Sequence, residues 1–207
     1  MFKKLFKKLQ EKSRKSKYEL FLKTFKPTHK TKVLDLGCGE GTFLEQLYPY
    51  KHRITGLDIS DHNISRFKRI HPGIKIEKGD AKDLKFKDKS FDIVFSNAVI
   101  EHVGNFDEQF KYANEVKRVG KKYFITTPNK WFPFEPHYRL PLFQFIPKSI
   151  QRILAKHFSI GNYEKGGWED INLLSTMQLR KLFPEAIVIK QRITLLPETL
   201  IVIGPME

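Results

Sequence analysis

The chain has a single cysteine, Cys38, among 207 residues, which excludes a disulfide framework and a cluster of thiolate metal ligands. It also has no run of about 18 apolar residues, the length that a membrane-spanning helix requires. The opening Met-Phe-Lys-Lys lacks the apolar segment of a signal peptide. We therefore expect a cytoplasmic protein, and the length favours one domain with a substantial core.

Acidic residues are scarce as well, with 23 against 38 lysines and arginines, which gives a formal net charge of +15. Residues 1–32 carry a net charge of +10, because only Glu11 and Glu19 oppose the basic side chains there. The charge pattern divides the chain into a basic arm, residues 1–30, and a domain, residues 31–207.

The first half of the arm has the pattern of a basic amphipathic helix, in which lysines fill the faces between regularly spaced apolar residues. Those apolar residues are Phe2, Leu5, Phe6 and Leu9. Three interpretations stay open: residues 1–17 lie on an anionic membrane surface, contact nucleic acid, or pack on the domain. A second apolar stripe is expected to cover the core, and it consists of Tyr18, Phe21, Leu22 and Phe25.

Short apolar runs alternate with amphipathic segments along the domain, which predicts an α/β fold. The predicted strands cover residues 33–36, 53–59, 74–78, 91–95, 122–126, 187–193 and 199–203. The predicted helices cover residues 42–48, 61–70, 106–119, 150–157 and 175–183. Strands separated by such helices form a parallel sheet with right-handed crossovers and helices on both faces.

A glycine turn follows the first predicted strand, with glycines at positions 37, 39 and 41. It lacks the lysine of a phosphate-binding P-loop, and Thr42 stands where the dinucleotide fingerprint requires glycine. Cys38, between two glycines, is interpreted as a small turn residue rather than a nucleophile. Asp35, just before the turn, favours a ligand with a cationic group over a phosphate.

Further polar residues come at the ends of the next predicted strands: Asp58, Asp80, Ser96 and Asn97. Ligands of doubly wound sheets bind beyond the carboxyl ends of the strands, near the point where the strand order reverses. Each aspartate alone is typical of a cap or turn, but the ordered set indicates a binding edge.

Four segments resemble class I S-adenosylmethionine-dependent methyltransferases of the type 11 branch: Val33–Gly41, Gly56–Ser60, Gly79–Ala81 and Phe91–Val103. The resemblance implies a Rossmann-like, doubly wound, seven-stranded, mostly parallel sheet with an antiparallel last strand. It also implies S-adenosylmethionine as cofactor. Asp35 and the turn of Gly37, Cys38, Gly39 and Gly41 would hold its methionine part. By the same resemblance, Asp58 would bind the ribose hydroxyls and Asn97 would lie beside the sulfonium end. The adenine would be contacted by Ile59, Asp80 and Ala81.

Two histidines are the candidate catalytic bases, since a base is needed where the methyl acceptor must lose a proton. His102, after the fourth strand, is either a base or a cap of the next helix. His137 is either a base or a residue that holds its loop in place. It lies in an aromatic insertion, residues 128–170, which is the expected acceptor cap and includes a loop at 161–168. Trp168 is either a lid aromatic or a peripheral core anchor.

No cluster of histidine and acidic residues has a clear metal-ligand spacing, so no metal site is expected. Adenine N-methylation and carbon-5 pyrimidine methylation are excluded, because the first needs an Asn/Asp-Pro-Pro-aromatic turn and the second a catalytic cysteine. The leading hypothesis is methyl transfer to an O or C atom, or a simple amine, of a small-molecule or lipid-like acceptor. The alternatives are an RNA or tRNA methyltransferase and a non-catalytic cofactor-binding subunit. A nicotinamide-linked reductase is disfavoured by the glycine spacing.

Overall fold

The computed structural model describes residues 2–158 and 167–205, with side chains from Lys8 onward except that of Gln10. Seven strands form one sheet: β1 Val33–Leu36, β2 Ile54–Asp58, β3 Lys75–Lys78, β4 Phe91–Asn97, β5 Gly120–Pro128, β8 Ile187–Arg192 and β9 Pro197–Gly204. Their order across the sheet is β3-β2-β1-β4-β5-β9-β8. Strands β1 to β5 run parallel to one another, whereas β9, which lies between β5 and β8, runs antiparallel to both of them. The predicted Rossmann-like fold is confirmed.

The helices cover both faces of the sheet. Their bounds are α1 Phe2–Phe25, α2 Leu44–Leu47, α3 Asp61–Ile70, α4 Phe106–Val119, α5 Lys148–His157 and α6 Thr176–Leu182. Buried side chains of α4 and α6 pack on one face of the sheet, and those of α1, α2 and α3 pack on the other. Along the strands the side chains alternate between the two cores: Val33 joins one core, while Leu34 and Leu36 join the other.

Side-chain caps fix where several helices begin. The Ser60 hydroxyl accepts a hydrogen bond from the Asn63 amide at the start of α3. Asn105 caps α4 in the same way through the amides of its first turn, and Ser175 forms a capping box with Gln178 at α6. These signals, together with a clear helical period, explain why α3 and α4 have the predicted bounds.

Helix α2 is shorter than predicted, a single turn instead of residues 42–48. Pro49 disfavours helical backbone at the preceding residue, and Tyr48 is extended there. At the other end Phe43 is buried and stacks on Phe95, with ring centroids 5.3 Å apart, which holds it in the turn. Tertiary packing thus shortens the helix from both sides.

The predicted second stripe of α1 does cover the core. Phe21 is fully buried, and its ring contacts Tyr48, Phe95 and Phe124 at centroid separations of 5.4–6.2 Å. Ser13 exchanges hydrogen bonds with Gln191 of β8. The second half of α1 is therefore packed against the sheet.

The insertion is an ordered substructure on the carboxyl side of β5. It contains the hairpin strands β6 Phe134–Glu135 and β7 Leu140–Pro141, a 3₁₀ turn at Phe143–Phe145, and α5. These elements share a small core with the segment that follows them, made of Tyr138, Phe143, Ala155, Ile171 and Leu173. Trp168 packs against this core beneath the Arg152 guanidinium, 4.5 Å from the ring centroid, which favours the core-anchor interpretation. Of the predicted loop, residues 161–166 lie outside the described residues.

Candidate functional site at the carboxyl edge of the sheet

The glycine turn folds back onto β2. All three glycines have positive φ, 73° at Gly37, 58° at Gly39 and 75° at Gly41. The Gly37 amide donates to the Leu57 carbonyl at 2.8 Å, which anchors the turn. A side chain at Gly37 would collide with Val99 at 2.4 Å, whereas one at Gly39 would meet no atom of the described residues within 4 Å. The Gly39 backbone therefore faces open space in which a ligand can lie against the main chain.

Two buried carboxyl groups lie behind this turn. Burial, followed by the charge and hydrogen bond of Glu45 and the charge of Asp58, holds the pKa of Asp35 well above its usual range. Burial also raises the pKa of Glu45. Among the described residues, Glu45 is the neighbour whose charge and hydrogen bond contribute most to the raised pKa of Asp35 after burial. Together with Asp58, the pair places three carboxyl groups beside the glycine turn.

Asp58 ends β2 with both carboxylate oxygens engaged. Its Oδ2 accepts from the Gly39 amide at 2.8 Å, and its Oδ1 accepts from Ser60 N at 2.9 Å and Asn63 Nδ2 at 3.1 Å. A carboxylate has about four lone-pair positions, so Oδ2 retains capacity for one more donor. Asp58 can therefore hold the glycine turn through Oδ2 and accept a further hydrogen bond from a ligand hydroxyl on the same oxygen.

The outer part of the edge is open to solvent. The Ile59 side chain, beyond β2, is 65% exposed, which is unusual for its type. Asp80, beyond β3, is partly exposed, and its Oδ1 accepts the Lys82 amide at 2.9 Å. Ala81 packs beside the core at the same level. An exposed apolar side chain and an acceptor oxygen that follow the neighbouring strands β2 and β3 suit a flat heteroaromatic ring with an amino group.

The Cys38 thiol is buried between these groups. Burial first, and then the carboxylates of Asp35, Glu45 and Asp58, raises its pKa above the ordinary range of a thiol. A thiol in such a position is not ionised at neutral pH. The structure therefore agrees with the interpretation of Cys38 as a small turn residue.

Asn97, at the end of β4, receives a lysine from the N-terminal helix. Its Oδ1 accepts hydrogen bonds from Lys17 Nζ and from Thr126 Oγ1, both at 2.8 Å. The Lys17 ammonium also lies 5.6 Å from the centroid of the Phe43 ring. Desolvation, and then the charge of Arg14, lowers the pKa of Lys17 to about 8, although Glu101 opposes the shift. Helix α1 thus supplies a half-buried, easily deprotonated amine to this edge.

The two predicted histidines are brought together by the insertion. The His102 and His137 rings meet edge to face, with centroids 4.9 Å apart. Each ring is held at Nδ1 by a carboxylate, His102 by Glu169 at 2.6 Å and His137 by Glu135 at 2.7 Å. When Nδ1–H donates to the carboxylate, Nε2 keeps a lone pair with which to bind a proton or an ion.

Beside this pair lies the buried carboxylate of Glu101. Its Oε2 accepts the Thr127 hydroxyl at 2.9 Å, while its Oε1 is buried and has no hydrogen-bond partner in the part of the chain that the structure describes. Burial opposes protonation of His102, but the Glu169 hydrogen bond and the charges of Glu101, Glu169 and Glu135 outweigh it. The pKa of His102 is therefore raised. The cluster connects to Asn97 through the adjacent threonines 126 and 127.

Several residues of this edge were not singled out from the sequence. They are Lys17, Glu45, Glu101, Glu135 and Glu169. The pairs Glu101-His102 and Glu135-x-His137 were visible as local signals, because each places a carboxylate close to a candidate histidine. The contact of Lys17 with Asn97 joins residues 80 positions apart, and no local pattern reveals it.

The comparisons with known sequences agree with this geometry. A family model described as a methyltransferase domain matches residues 34–124. A probable S-adenosylmethionine-dependent methyltransferase of Mycolicibacterium smegmatis is 30% identical over 118 residues, which cover 57% of this chain and 46% of that protein. A ubiquinone biosynthesis O-methyltransferase of Pelagibacter ubique is 32% identical over 108 residues, which cover 51% of this chain and 45% of that protein. This chain spans about half the length of these two relatives.

A demethylmenaquinone methyltransferase of Staphylococcus aureus is 29% identical over 171 residues, covering 79% of this chain and 70% of that protein. Among solved structures, an S-adenosylmethionine-dependent methyltransferase of Clostridium acetobutylicum has the same fold. The two structures superpose with a TM-score of 0.65 at 12% sequence identity, and the match covers 93% of this chain and 90% of the Clostridium chain. Residues 34–124 therefore match the methyltransferase-domain family model, and the proteins similar to this chain include S-adenosylmethionine-dependent methyltransferases.

The residues at the edge fit this cofactor on structural grounds. An open glycine backbone at Gly39, an exposed apolar side chain at Ile59 and a free acceptor position on Asp58 suit an adenosine group. The acidic pair of Asp35 and Glu45 suits an ammonium group. Among the described residues, no helix is long and apolar enough to cross a membrane.

Proposed function

We propose that the protein transfers a methyl group from S-adenosylmethionine to a hydroxyl oxygen of a small, partly apolar acceptor. The observation that carries this proposal is the meeting of His102 and His137, each oriented by a carboxylate, beside Asn97 at the carboxyl edge of the sheet. A hydroxyl acceptor must lose its proton on methylation, and the paired imidazoles provide for this need.

The cofactor's placement follows the family resemblance. Asp35 and the turn of Gly37, Cys38, Gly39 and Gly41 hold its methionine part, and Asp58 binds the ribose hydroxyls. Ile59, Asp80 and Ala81 contact the adenine, and Asn97 lies beside the sulfonium end. When bound, the cofactor supplies a methyl group on a positively charged sulfur. The protein's own task is to orient the acceptor oxygen and to exclude water.

His137 is the preferred base of the pair. Its Nδ1 is fixed by Glu135, which is itself buried and also accepts the Tyr138 amide, so the ring orientation is set by the insertion. An imidazole held in this way directs the lone pair of Nε2 toward a substrate proton. His102, held by the more exposed Glu169, is the supporting group.

Three observations support an apolar acceptor. The insertion exposes Trp131, Leu142 and Phe145, with Trp131 67% exposed and its ring 5.6 Å from that of Phe145. Helix α1 presents exposed lysines at 8, 12 and 15, which support acceptor delivery at an anionic membrane surface. The names of the Pelagibacter and Staphylococcus relatives refer to ubiquinone and menaquinone, which are lipid-like molecules.

The test is a methyl-transfer assay with the full, untagged chain, radiolabelled S-adenosylmethionine and a cell extract separated into lipid, small-molecule and RNA fractions. We expect label in the lipid or small-molecule fraction. His137→Ala should reduce its rate by roughly 10²–10⁴-fold, the usual contribution of a general base. Cofactor affinity should stay unchanged, and the exposed His62→Ala is the matched control.

Label confined to RNA would overturn this proposal in favour of the nucleic-acid alternative. Cofactor binding without label in any fraction would instead favour the non-catalytic subunit.

A further inference from the structure

The atoms of three residues converge in a way that the methyl-transfer proposal does not use. One ligand atom from each of Glu101, His102 and His137 lies within 4.8 Å of the other two. A tetrahedral ion with bonds of about 2.1 Å holds its ligands roughly 3.4 Å apart, so side-chain shifts of about an ångström would complete a site. We infer that these three residues bind a divalent transition-metal ion.

The buried carboxylate is the first support. Glu101 has no exposed surface, and its Oε1 has no hydrogen-bond partner among the described residues, whereas Oε2 is satisfied by Thr127. Leaving a carboxylate oxygen buried and unpaired is costly unless a cation compensates it. An ion between Oε1 and the two rings removes that cost.

The orientation of the two rings is the second and independent support. Metal-binding histidines almost always donate their other ring N–H to a carboxylate or carbonyl, which fixes the tautomer. Both rings show this arrangement, through Glu169 at His102 and Glu135 at His137. One such pair is common, but two that meet beside a third, buried carboxylate form a built site.

The ligand set indicates the class of ion. Two imidazoles and one carboxylate suit zinc, manganese, cobalt or iron in the divalent state better than magnesium or calcium, which prefer oxygen ligands. Three protein ligands leave at least one coordination position open, as in catalytic rather than structural zinc sites. The expectation of no metal rested on spacing along the chain, and here His137 comes from an insertion 35 residues away from His102.

Such an ion has a place in the proposed function. A bound Lewis acid can hold a hydroxyl oxygen and lower its pKa. In the ion-bound chain the two imidazoles would be ligands, so the ion would replace His137 as the group that activates the hydroxyl, and the proton would pass to solvent. This role rests on the proposed methyl transfer to oxygen, whereas binding of the ion does not.

The test is titration of the untagged, chelator-treated full chain with Zn²⁺, Mn²⁺ and Co²⁺. Calorimetry follows Zn²⁺, electron paramagnetic resonance follows free Mn²⁺, and visible absorption follows Co²⁺. We expect one ion per chain. Glu101→Gln and His137→Gln should weaken binding by more than about 100-fold, and Glu169→Gln by about 10-fold as an orienting partner. The exposed His62→Gln should leave binding unchanged.

Circular dichroism checks that each variant is folded. If Glu101→Gln unfolds, the test relies on His137→Gln, because His137 is partly exposed and its substitution disturbs the core less. The inference is overturned if the folded wild-type chain binds none of the three ions at millimolar concentration. Binding that His137→Gln leaves unchanged would overturn it as well. Methyl transfer by a metal-free chain would remove the catalytic role and leave the proposed function standing. One ion bound without methyl transfer would support the site and contradict the function.

Discussion

At Lys17, a basic side chain from the N-terminal helix reaches the acceptor oxygen of Asn97. Three effects act on the pKa of this ammonium: desolvation by burial and repulsion by Arg14 lower it, and attraction by Glu101 raises it. The first dominates, so the folded chain binds this proton less tightly than the unfolded chain does. In the cofactor placement that we propose, Asn97 would lie beside a sulfonium, so Lys17 would place a second positive charge near it.

Lys17 should therefore give the protein's stability a distinct pH dependence. Its pKa is about 8 in the folded chain against 10.5 in the unfolded chain. The cost of keeping it charged is present below pH 8 and fades as the pH rises toward 10.5. Lys17→Met removes this cost but also the Asn97 hydrogen bond. The difference in unfolding free energy, variant minus wild type, should fall by about 1–3 kcal/mol between pH 7 and pH 10.

Urea denaturation at both pH values measures this difference, and exposed Lys12→Met is the control. A difference that does not change with pH would show that Lys17 is solvated like an ordinary lysine.

At the scale of elements, helix α1 belongs to the core although its first half has the composition of a surface-binding arm. Phe21→Ala should lower the unfolding free energy by about 3–5 kcal/mol, because it empties a position enclosed by three aromatic rings. Denaturant unfolding measures this loss. Lys23→Ala, on the exposed side of the same helix, should change it by less than about 0.5 kcal/mol. A loss under about 1 kcal/mol for Phe21→Ala would mean that α1 contributes little to the folded domain.

The elements that could be predicted from sequence are those whose pattern is local. Strands β1, β2, β4 and β5 are buried apolar runs, and α3 and α4 carry a cap and a helical period. Helix α2 was overestimated because its limits are set by the packing of Phe43 and by Pro49. The hairpin of β6 and β7 was not predicted, since two-residue strands carry no period.

At the scale of the whole molecule, the order of the strands decides which side chains meet. Asp35, Asp58, Asp80 and Asn97 could be predicted to share one edge, because the carboxyl ends of the parallel strands β1 to β4 lie at the same edge of the sheet. The contacts with distant segments could not be predicted: Lys17 arrives from the N-terminal helix, and His137 and Glu169 arrive from either end of the insertion. Local pattern therefore identified the proposed cofactor edge, and tertiary structure was needed to assemble the proposed acceptor cluster.

The central claim is that this edge binds a positively charged sulfur nucleoside. Calorimetric titration of the full chain with S-adenosylmethionine and with its demethylated product tests it most directly. We predict one binding site per chain. Asp58→Ala should weaken the binding free energy by about 1–3 kcal/mol, because it removes charge-assisted hydrogen bonds to the ribose. His62→Ala should bind as the wild type does. Absence of binding at millimolar concentration, or equal affinity of Asp58→Ala and wild type, would contradict the account.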